Sequence, residues 1–503
     1  MSAEMTRPAE ASAPDEDAEH LASLGYSYEK QFKREMTFWG NVSLGFTYLS
    51  PVVGIYSLFA ISLGLAGPPM FWSLLIVGAG QLLVALVFGE VVSNYPVAGG
   101  VYPWSRRLWG RKWGWMNGWI YLIALLATIA SVAYASGPYL AAFLGLEGTV
   151  DSTILSALAV IAVATVLNLM GTGVLNKVAM IGLIAELGGA VVVGFWLLVS
   201  HRNHDLSVLF DTFGAGEGSD YFFAFAAAGL IGIFQYYGFE ACGDVAEEVP
   251  NPGRTIPKAM RMTIYIGGAA AMFVCLSLIL AVPDFAAVIS GADADPLTNV
   301  LMAAFGPVGF RVVIGVVLIS FISCVLSLQA AASRLTYSMA RDRILPFSGV
   351  LGRFSEKRHV PPYALLIAAL FPALVVVGSK VSEDALVAII SFAAMGMYMG
   401  FQMVVLASLR ARLKGWKPAG KFTLGAWGLP VTVLALVWGV LGMANMAWPR
   451  TPEAGWLSNH IVLISSVAVV AIGALYMAVR KPHLLGDAPA GDAGLARERA
   501  DVR

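Results

Sequence analysis

Two apolar stretches of this chain are interrupted by residues that break helices. The first reads Tyr48-Leu49-Ser50-Pro51-Val52-Val53-Gly54-Ile55 and the second Tyr236-Tyr237-Gly238-Phe239-Glu240-Ala241. Pro51 has no backbone N–H, and its ring clashes with the preceding turn. Gly54 and Gly238 permit backbone geometries closed to other residues. A helix that restarts near Val53 presents free N–H groups and the positive end of its dipole, which suits a carboxylate. A helix that stops near Tyr237 presents free carbonyls, which suit an ammonium. Unsatisfied backbone cannot face lipid, so such breaks must line a cavity or bind something. Matched breaks in two apolar segments mark a transport site near mid-membrane. The candidate substrate contacts are Ser50, Pro51, Val53, Gly54 and Ile55 on the first break, with Phe234, Tyr237, Gly238, Phe239 and Glu240 on the second. The expected pose sets an ammonium on the carbonyls from Phe234 to Tyr237 and any carboxylate on the N–H groups from Val53 to Ile55. Phe239 covers the site as part of a gate.

Carboxylates within apolar runs are costly, so each is a functional candidate. Glu186, in Ile184-Ala185-Glu186-Leu187-Gly188, lies mid-run and is the leading candidate for a proton site. A buried, hydrogen-bonded neutral acid is the plainer alternative. Glu90, near the end of its run, is a second coupling candidate, or else a partner for the basic loop that follows. Glu240 and Asp244 can attract a cationic amine or steady the break. Ser320, Ser323 and Ser327 share one helix face. Ser323 and Ser327 are candidates for ion coupling, although serines also pack helices and bond their own backbone. Ser131 and Tyr134, and Ser391, Phe392, Met395 and Tyr398, put small polar and aromatic groups at mid-depth, for a site wall or for packing. All six histidines (His20, His201, His204, His359, His460 and His483) fall in tails, loops or run ends. The three cysteines, Cys242, Cys275 and Cys324, fall in apolar runs. Neither a metal cluster nor a nucleophile–histidine pair is legible, so no enzyme, metal or cofactor is expected.

These residues need elements to hold them, and composition says which kind. The chain has 503 residues, 58% of them hydrophobic and 13% charged, with 32 basic and 32 acidic side chains. Ordinary soluble domains have about 45–50% apolar and ~25% charged residues. The pattern is that of a polytopic membrane protein in a lipid bilayer, and the balanced charge gives no reason to expect nucleic acid. Twelve apolar runs are legible, near 39–65, 70–93, 114–144, 152–170, 178–200, 221–245, 262–283, 300–333, 362–380, 384–408, 427–447 and 459–479. The loops expected on the cytoplasmic side carry 19 Lys and Arg, whereas those expected outside carry only Arg202, Lys380 and Arg450. The positive-inside rule then places both termini in the cytoplasm. The polar segment 1–38 lacks an apolar core of the export-signal kind and is expected to be a cytoplasmic tail, as is 480–503. Segments 39–200 and 221–408 form two five-helix halves, each opening on a broken helix, and 427–479 adds two helices.

Several motifs resemble those of a known superfamily. Tyr237-Gly238-Phe239-Glu240, Ala246-Glu247-Glu248-Val249-Pro250-Asn251-Pro252-Gly253-Arg254 and Ile256-Pro257-Lys258-Ala259 resemble the sixth-span signature of the amino acid–polyamine–organocation (APC) superfamily. Gly89-Glu90-Val91-Val92-Ser93-Asn94-Tyr95-Pro96-Val97-Ala98-Gly99-Gly100-Val101-Tyr102 is similar to its second-span signature. Leu24-Gly25-Tyr26 and Arg34-Glu35-Met36-Thr37-Phe38-Trp39-Gly40-Asn41 are similar to the N-terminal segment of the amino acid/choline branch, which includes GABA permeases. The resemblance implies an all-α polytopic fold of 12 transmembrane helices, a LeuT-type 5+5 inverted repeat plus two peripheral helices. It also implies that hydroxyls such as Ser323 and Ser327 can join first-span carbonyls around a sodium ion. One departure matters: many amino acid members have a Gly-small-Gly run at the first break, whereas Ser50-Pro51-Val52-Val53-Gly54 has one glycine.

The resulting expectation is a secondary active transporter of an amino acid or related amine (GABA-like) in the cytoplasmic membrane. It works by alternating access around the two breaks and is coupled to protons rather than sodium. The alternatives are a choline, ethanolamine or polyamine permease, or an amino acid exchanger on the same fold.

Overall fold

The computed structural model describes residues 32–216, 220–380, 383–450, 455–486 and 488–491, with side chains from 389 on in the helix that starts at Glu383. Leu24-Gly25-Tyr26, most of the N-terminal tail and the last residues of the C-terminal tail lie outside them. The principal helices are α1 (Phe38–Leu49), α2 (Pro51–Ala66), α3 (Phe71–Asn94), α4 (Val101–Trp109), α5 (Arg111–Ala135), α6 (Val150–Leu169), α7 (Thr172–Ser200) and α8 (Tyr221–Ala228). They continue with α9 (Leu230–Gln235), α10 (Ala241–Asp244), α11 (Pro252–Ala281), α12 (Pro296–Arg341), α13 (Pro362–Gly378), α14 (Glu383–Leu413), α15 (Gly428–Ala447) and α16 (Ile461–Arg480).

Among the described residues, ten helices are long and apolar enough to cross a membrane, and this is a multi-pass membrane protein. Two shorter apolar helices, Tyr221–Gln235 and Pro362–Gly378, occupy the places of the expected sixth and ninth spans. The sixth falls short because the chain leaves helical geometry after Gln235, so the run near 221–245 is not one continuous helix. Other runs extend past their expected ends: α11 begins at Pro252 and α12 runs to Arg341, bent where Gly306 (φ 63°) precedes Pro307.

Helix α1 sits in the middle, packed by α7, α11 and α12, while α2 is flanked by α9 and α12. Helix α7 shows how the sequence selects a face. Gly182, Glu186, Ala190, Val193 and Leu197, three or four apart, are buried, whereas Ile181, Ile184, Val191, Val192 and Phe195 point outward. Such an apolar exterior suits lipid, and the small residues on the inner face let helices approach closely. A Cβ on Gly182 would stand only 2.7 Å from the Ser323 side chain of α12. Helix α16 buries little beyond Ser466 and Gly473, as expected of a peripheral helix.

One end of the bundle is tied by buried and partly buried polar contacts between segments distant in sequence. Arg334 meets Glu248 at 2.8 Å, Arg341 meets Glu247 at 3.0 Å, and Arg106 pairs with Asp342. Ser93 donates to the Gly253 carbonyl at 2.8 Å. This is the end with the basic loops, called here the cationic end.

Candidate functional site

Both sequence-predicted breaks exist. Ser50 separates α1 from α2 in a left-handed conformation (φ 42°, ψ 88°). Its N–H closes α1 on the Phe46 carbonyl at 2.7 Å, and Pro51 then starts α2 at the position where a missing N–H costs nothing. The Ser50 hydroxyl accepts the Val53 N–H at 3.3 Å, and the Ser50 carbonyl accepts the Gly54 N–H at 3.0 Å. The remaining first-turn donor goes elsewhere. Glu186 Oε1 accepts both the Val52 N–H, at 2.9 Å, and the Ser50 hydroxyl, at 2.7 Å. Glu186 is fully buried, and its Oε2 has no hydrogen-bond partner among the described residues. A carboxyl group of the protein thus occupies the anion-favouring end of α2.

The second break faces the first. Helix α9 ends as the Tyr236 N–H closes on the Gly232 carbonyl at 3.0 Å. Gly238 has φ 118°, and a Cβ there would lie 2.7 Å from the Leu49 backbone nitrogen, so only glycine fits where the breaks touch. The Gly238 N–H turns to Glu240 Oε2 at 2.8 Å, leaving the Phe234 carbonyl without its helical donor. Glu240 Oε1 accepts the Tyr121 hydroxyl at 2.9 Å. Glu240 therefore holds the break in shape from within. Gln235 bridges the two breaks: its Nε2 donates to the Leu49 carbonyl at 3.3 Å, and its Oε1 presses on Gly54, where a Cβ would lie 2.1 Å away.

A cavity of about 360 Å³ adjoins both breaks on the side away from the cationic end. Val53 and Ser57 of α2, Ser131 of α5, Phe234 of α9 and Ser391 and Ala394 of α14 line it. Its wall has no ionisable side chain among the described residues. The Ser57 hydroxyl is buried there without a hydrogen-bond partner. Ser131 and Ser391 thus join Val53 and Phe234 around one space, although some 340 residues of chain lie between the first and last of them. Tyr237 lies beside the break, its ring 6.2 Å from that of Tyr48 and 5.4 Å from that of Phe234.

Other candidates stand apart. Phe239 is buried against Phe88 and Phe401, with ring centroids 5.8 and 5.5 Å away, and is not part of the cavity wall. Glu90 pairs with Arg412 of α14 and accepts the Leu424 N–H at 2.8 Å, which places it in the ties of the cationic end. Ser323 donates within its own helix, to Ile319 and Ser320 carbonyls at 2.9 and 3.1 Å. Ser327 bonds Thr47 at 2.7 Å, and Cys324 takes the Tyr48 carbonyl at 3.3 Å. These contacts tie α12 to α1. Sequence reasoning missed Gln235 and Tyr121. A glutamine directly before a break in an apolar run was the available signal for the first.

A broken first helix, a broken sixth segment and a cavity between them call for comparison with known carriers. The model of a family described as amino acid permease matches residues 38–472. The chain belongs to this amino acid permease family. Among its relatives, the amino-acid permease BAT1 of Arabidopsis thaliana is 24% identical over 86% of this chain and 89% of its own length. A homolog of it from Oryza sativa subsp. japonica is 25% identical over 93% of this chain and 94% of its own. Amino-acid permease 2 of Neurospora crassa is 24% identical, covering 88% of this chain and 84% of its own. The permease is thus a membrane transporter and not an enzyme, as its composition and motifs implied.

Proposed function

We propose that this permease carries an amino acid or related amine (GABA-like) across the cytoplasmic membrane with a proton, by alternating access around its two breaks. Both termini lie in the cytoplasm, twelve segments cross the bilayer, and spans 1–5 and 6–10 form the inverted repeats. The cationic end then faces the cytoplasm.

One observation carries the mechanism: Glu186 holds the first-turn N–H of α2. A substrate carboxylate seeking that helix end competes with Glu186 for it, and most strongly when Glu186 is ionised. Protonation neutralises Glu186 and weakens its hold on Val52 and Ser50, since charged acceptors bind more strongly than neutral ones. Proton and substrate carboxylate then favour the same state, which is what symport requires. The ammonium docks on the free carbonyl end of α9, beside Phe234 and Tyr237. The apolar cavity takes the rest of the molecule. Glu90 serves structure through Arg412 rather than coupling.

A second reading rests on the same contact. If Glu186 never yields the helix end, the substrate is an amine without a carboxylate, such as choline, ethanolamine or putrescine, or the protein exchanges substrates. Uptake of radiolabelled γ-aminobutyrate into sodium-free proteoliposomes under an inward proton gradient tests both. Saturable, gradient-dependent uptake blocked by amino acids supports the first reading. Competition by choline or putrescine alone supports the second. No uptake and no competition, with or without sodium, refutes the GABA-like assignment.

A further inference from the structure

Asp244 is the last residue of α10, one turn beyond Glu240, and is fully buried. Neither of its carboxyl oxygens has a hydrogen-bond partner among the described residues. Its surroundings are built around it nonetheless. The Gly99 N–H donates to its carbonyl at 3.0 Å. The adjacent Gly100, at φ 48°, lies so close that a Cβ there would stand 2.2 Å from Oδ1. The cation within its electrostatic reach is Arg334 of α12, whose guanidinium is committed to Glu248 at 2.8 and 3.4 Å and to Ser333 at 3.1 Å. Glu248 is in turn held by the Thr172 hydroxyl at 2.6 Å. The other titratable neighbours are Glu240 and Cys242 on its own segment, Tyr48 of α1 and Tyr121 of α5. The Gly99–Gly100 turn offers no side chain.

A buried carboxylate without a protein donor is far costlier as an anion than as a neutral acid. The closed cationic end therefore favours a proton on Asp244. Opening that end must part Arg334 from Glu248 and Arg341 from Glu247, which admits water and frees Arg334 to face an anion. We propose that Asp244 is a proton-carrying gate residue: it holds a proton while the cationic end is closed and releases it to water when that end opens. The O–H bond breaks, the electron pair stays on the carboxylate, and the proton leaves on the side where substrate is released. Opening and proton release are then one event, a coupling with a defined direction. The inference rests on the proton-symport reading but names a different carboxylate from the one at the first break.

The test uses the full chain in proteoliposomes loaded with a pH-sensitive dye, with radiolabelled γ-aminobutyrate as probe, alongside infrared spectra of the same preparations. Wild type is compared with Asp244→Asn and Asp244→Glu. The amide mimics the protonated acid, so Asp244→Asn is expected to keep counterflow between equal pools. It should lose gradient-driven accumulation by at least about fivefold, the low end of usual coupling factors. Asp244→Glu should recover part of it. The wild-type spectrum at neutral pH should contain a protonated-carboxyl band that Asp244→Asn lacks, a readout independent of the substrate. Accumulation in Asp244→Asn equal to wild type, or no missing band, overturns the proposal. Loss of both counterflow and accumulation in both variants marks a structural role and also overturns it. A wild type with counterflow but no response to the gradient refutes the symport reading itself, whatever the variants do.

Discussion

Replacing Glu186 by Gln keeps an acceptor at the first break and removes its ability to ionise, so the reference state is the ionised acid. Two contacts change: the Ser50 hydroxyl at 2.7 Å and the Val52 N–H at 2.9 Å lose a charged acceptor and keep a neutral one. Hydrogen bonds to charged groups contribute about 1.5–3 kcal/mol, and neutral ones about 0.5–1.5 kcal/mol. The two together therefore weaken by about 2 kcal/mol, before any loss of interaction with the dipole of α2. If a substrate carboxylate must displace Glu186, that difference returns as affinity, roughly 30-fold at 1.4 kcal/mol per decade. In the wild type, affinity for a carboxylate-bearing substrate rises as pH falls, because protonation removes the competing anion. In Glu186→Gln the affinity stays at the low-pH level throughout. The assay is equilibrium binding of labelled γ-aminobutyrate, with choline as the carboxylate-free control, across a pH series. Choline affinity should be unmoved by the substitution. A Glu186→Gln protein that keeps the wild-type pH dependence, or gains for choline as much as for γ-aminobutyrate, refutes displacement at the helix end.

Further outcomes follow from named contacts. Gly238→Val places a branched side chain at φ 118° against Leu49 and should abolish uptake while the protein still reaches the membrane, measured by transport and by membrane-fraction immunoblot. Arg334→Ala leaves Glu248 buried without its cation and should cost about 3–5 kcal/mol, the usual penalty for breaking a buried pair, read as a fall in thermal midpoint in detergent. Cys242 is buried, with its thiol on the Asn41 carbonyl at 3.3 Å and the Asn41 amide on its own carbonyl at 3.0 Å. Maleimide should label it only when α1 and α10 separate, so conditions that hold the cationic end closed should slow labelling. Rapid labelling independent of substrate and proton gradient would contradict this.

Much of the site was legible from local chemistry. Pro51 marks an interruption because it lacks a donor and crowds the turn before it, and the Ser50 and Gly54 beside it set it apart from Pro257 and Pro372, which sit inside continuous helices. Hydropathy and loop charge likewise report single segments, and a span is recognised without knowing its neighbours. The second break was legible from Gly238, which admits backbone geometries closed to other residues. What the breaks bind to was not legible. Glu186 reaches Ser50 and Val52 from more than 130 residues away, and nothing near Ile184 or Leu187 marks it as the acceptor for that helix end. Glu90 and Glu186 look alike in sequence as acids in apolar runs. One is met by Arg412 from 322 positions away and the other by a helix terminus, which gives them different work. Glu240 and Asp244, one turn apart, divide in the same way, since Tyr121 and the Gly238 N–H satisfy the first and no described residue donates to the second. A backbone break follows from the bonds and radii of two or three adjacent residues. The partner of a buried charge follows from which distant helices pack together, and tertiary structure alone decided that.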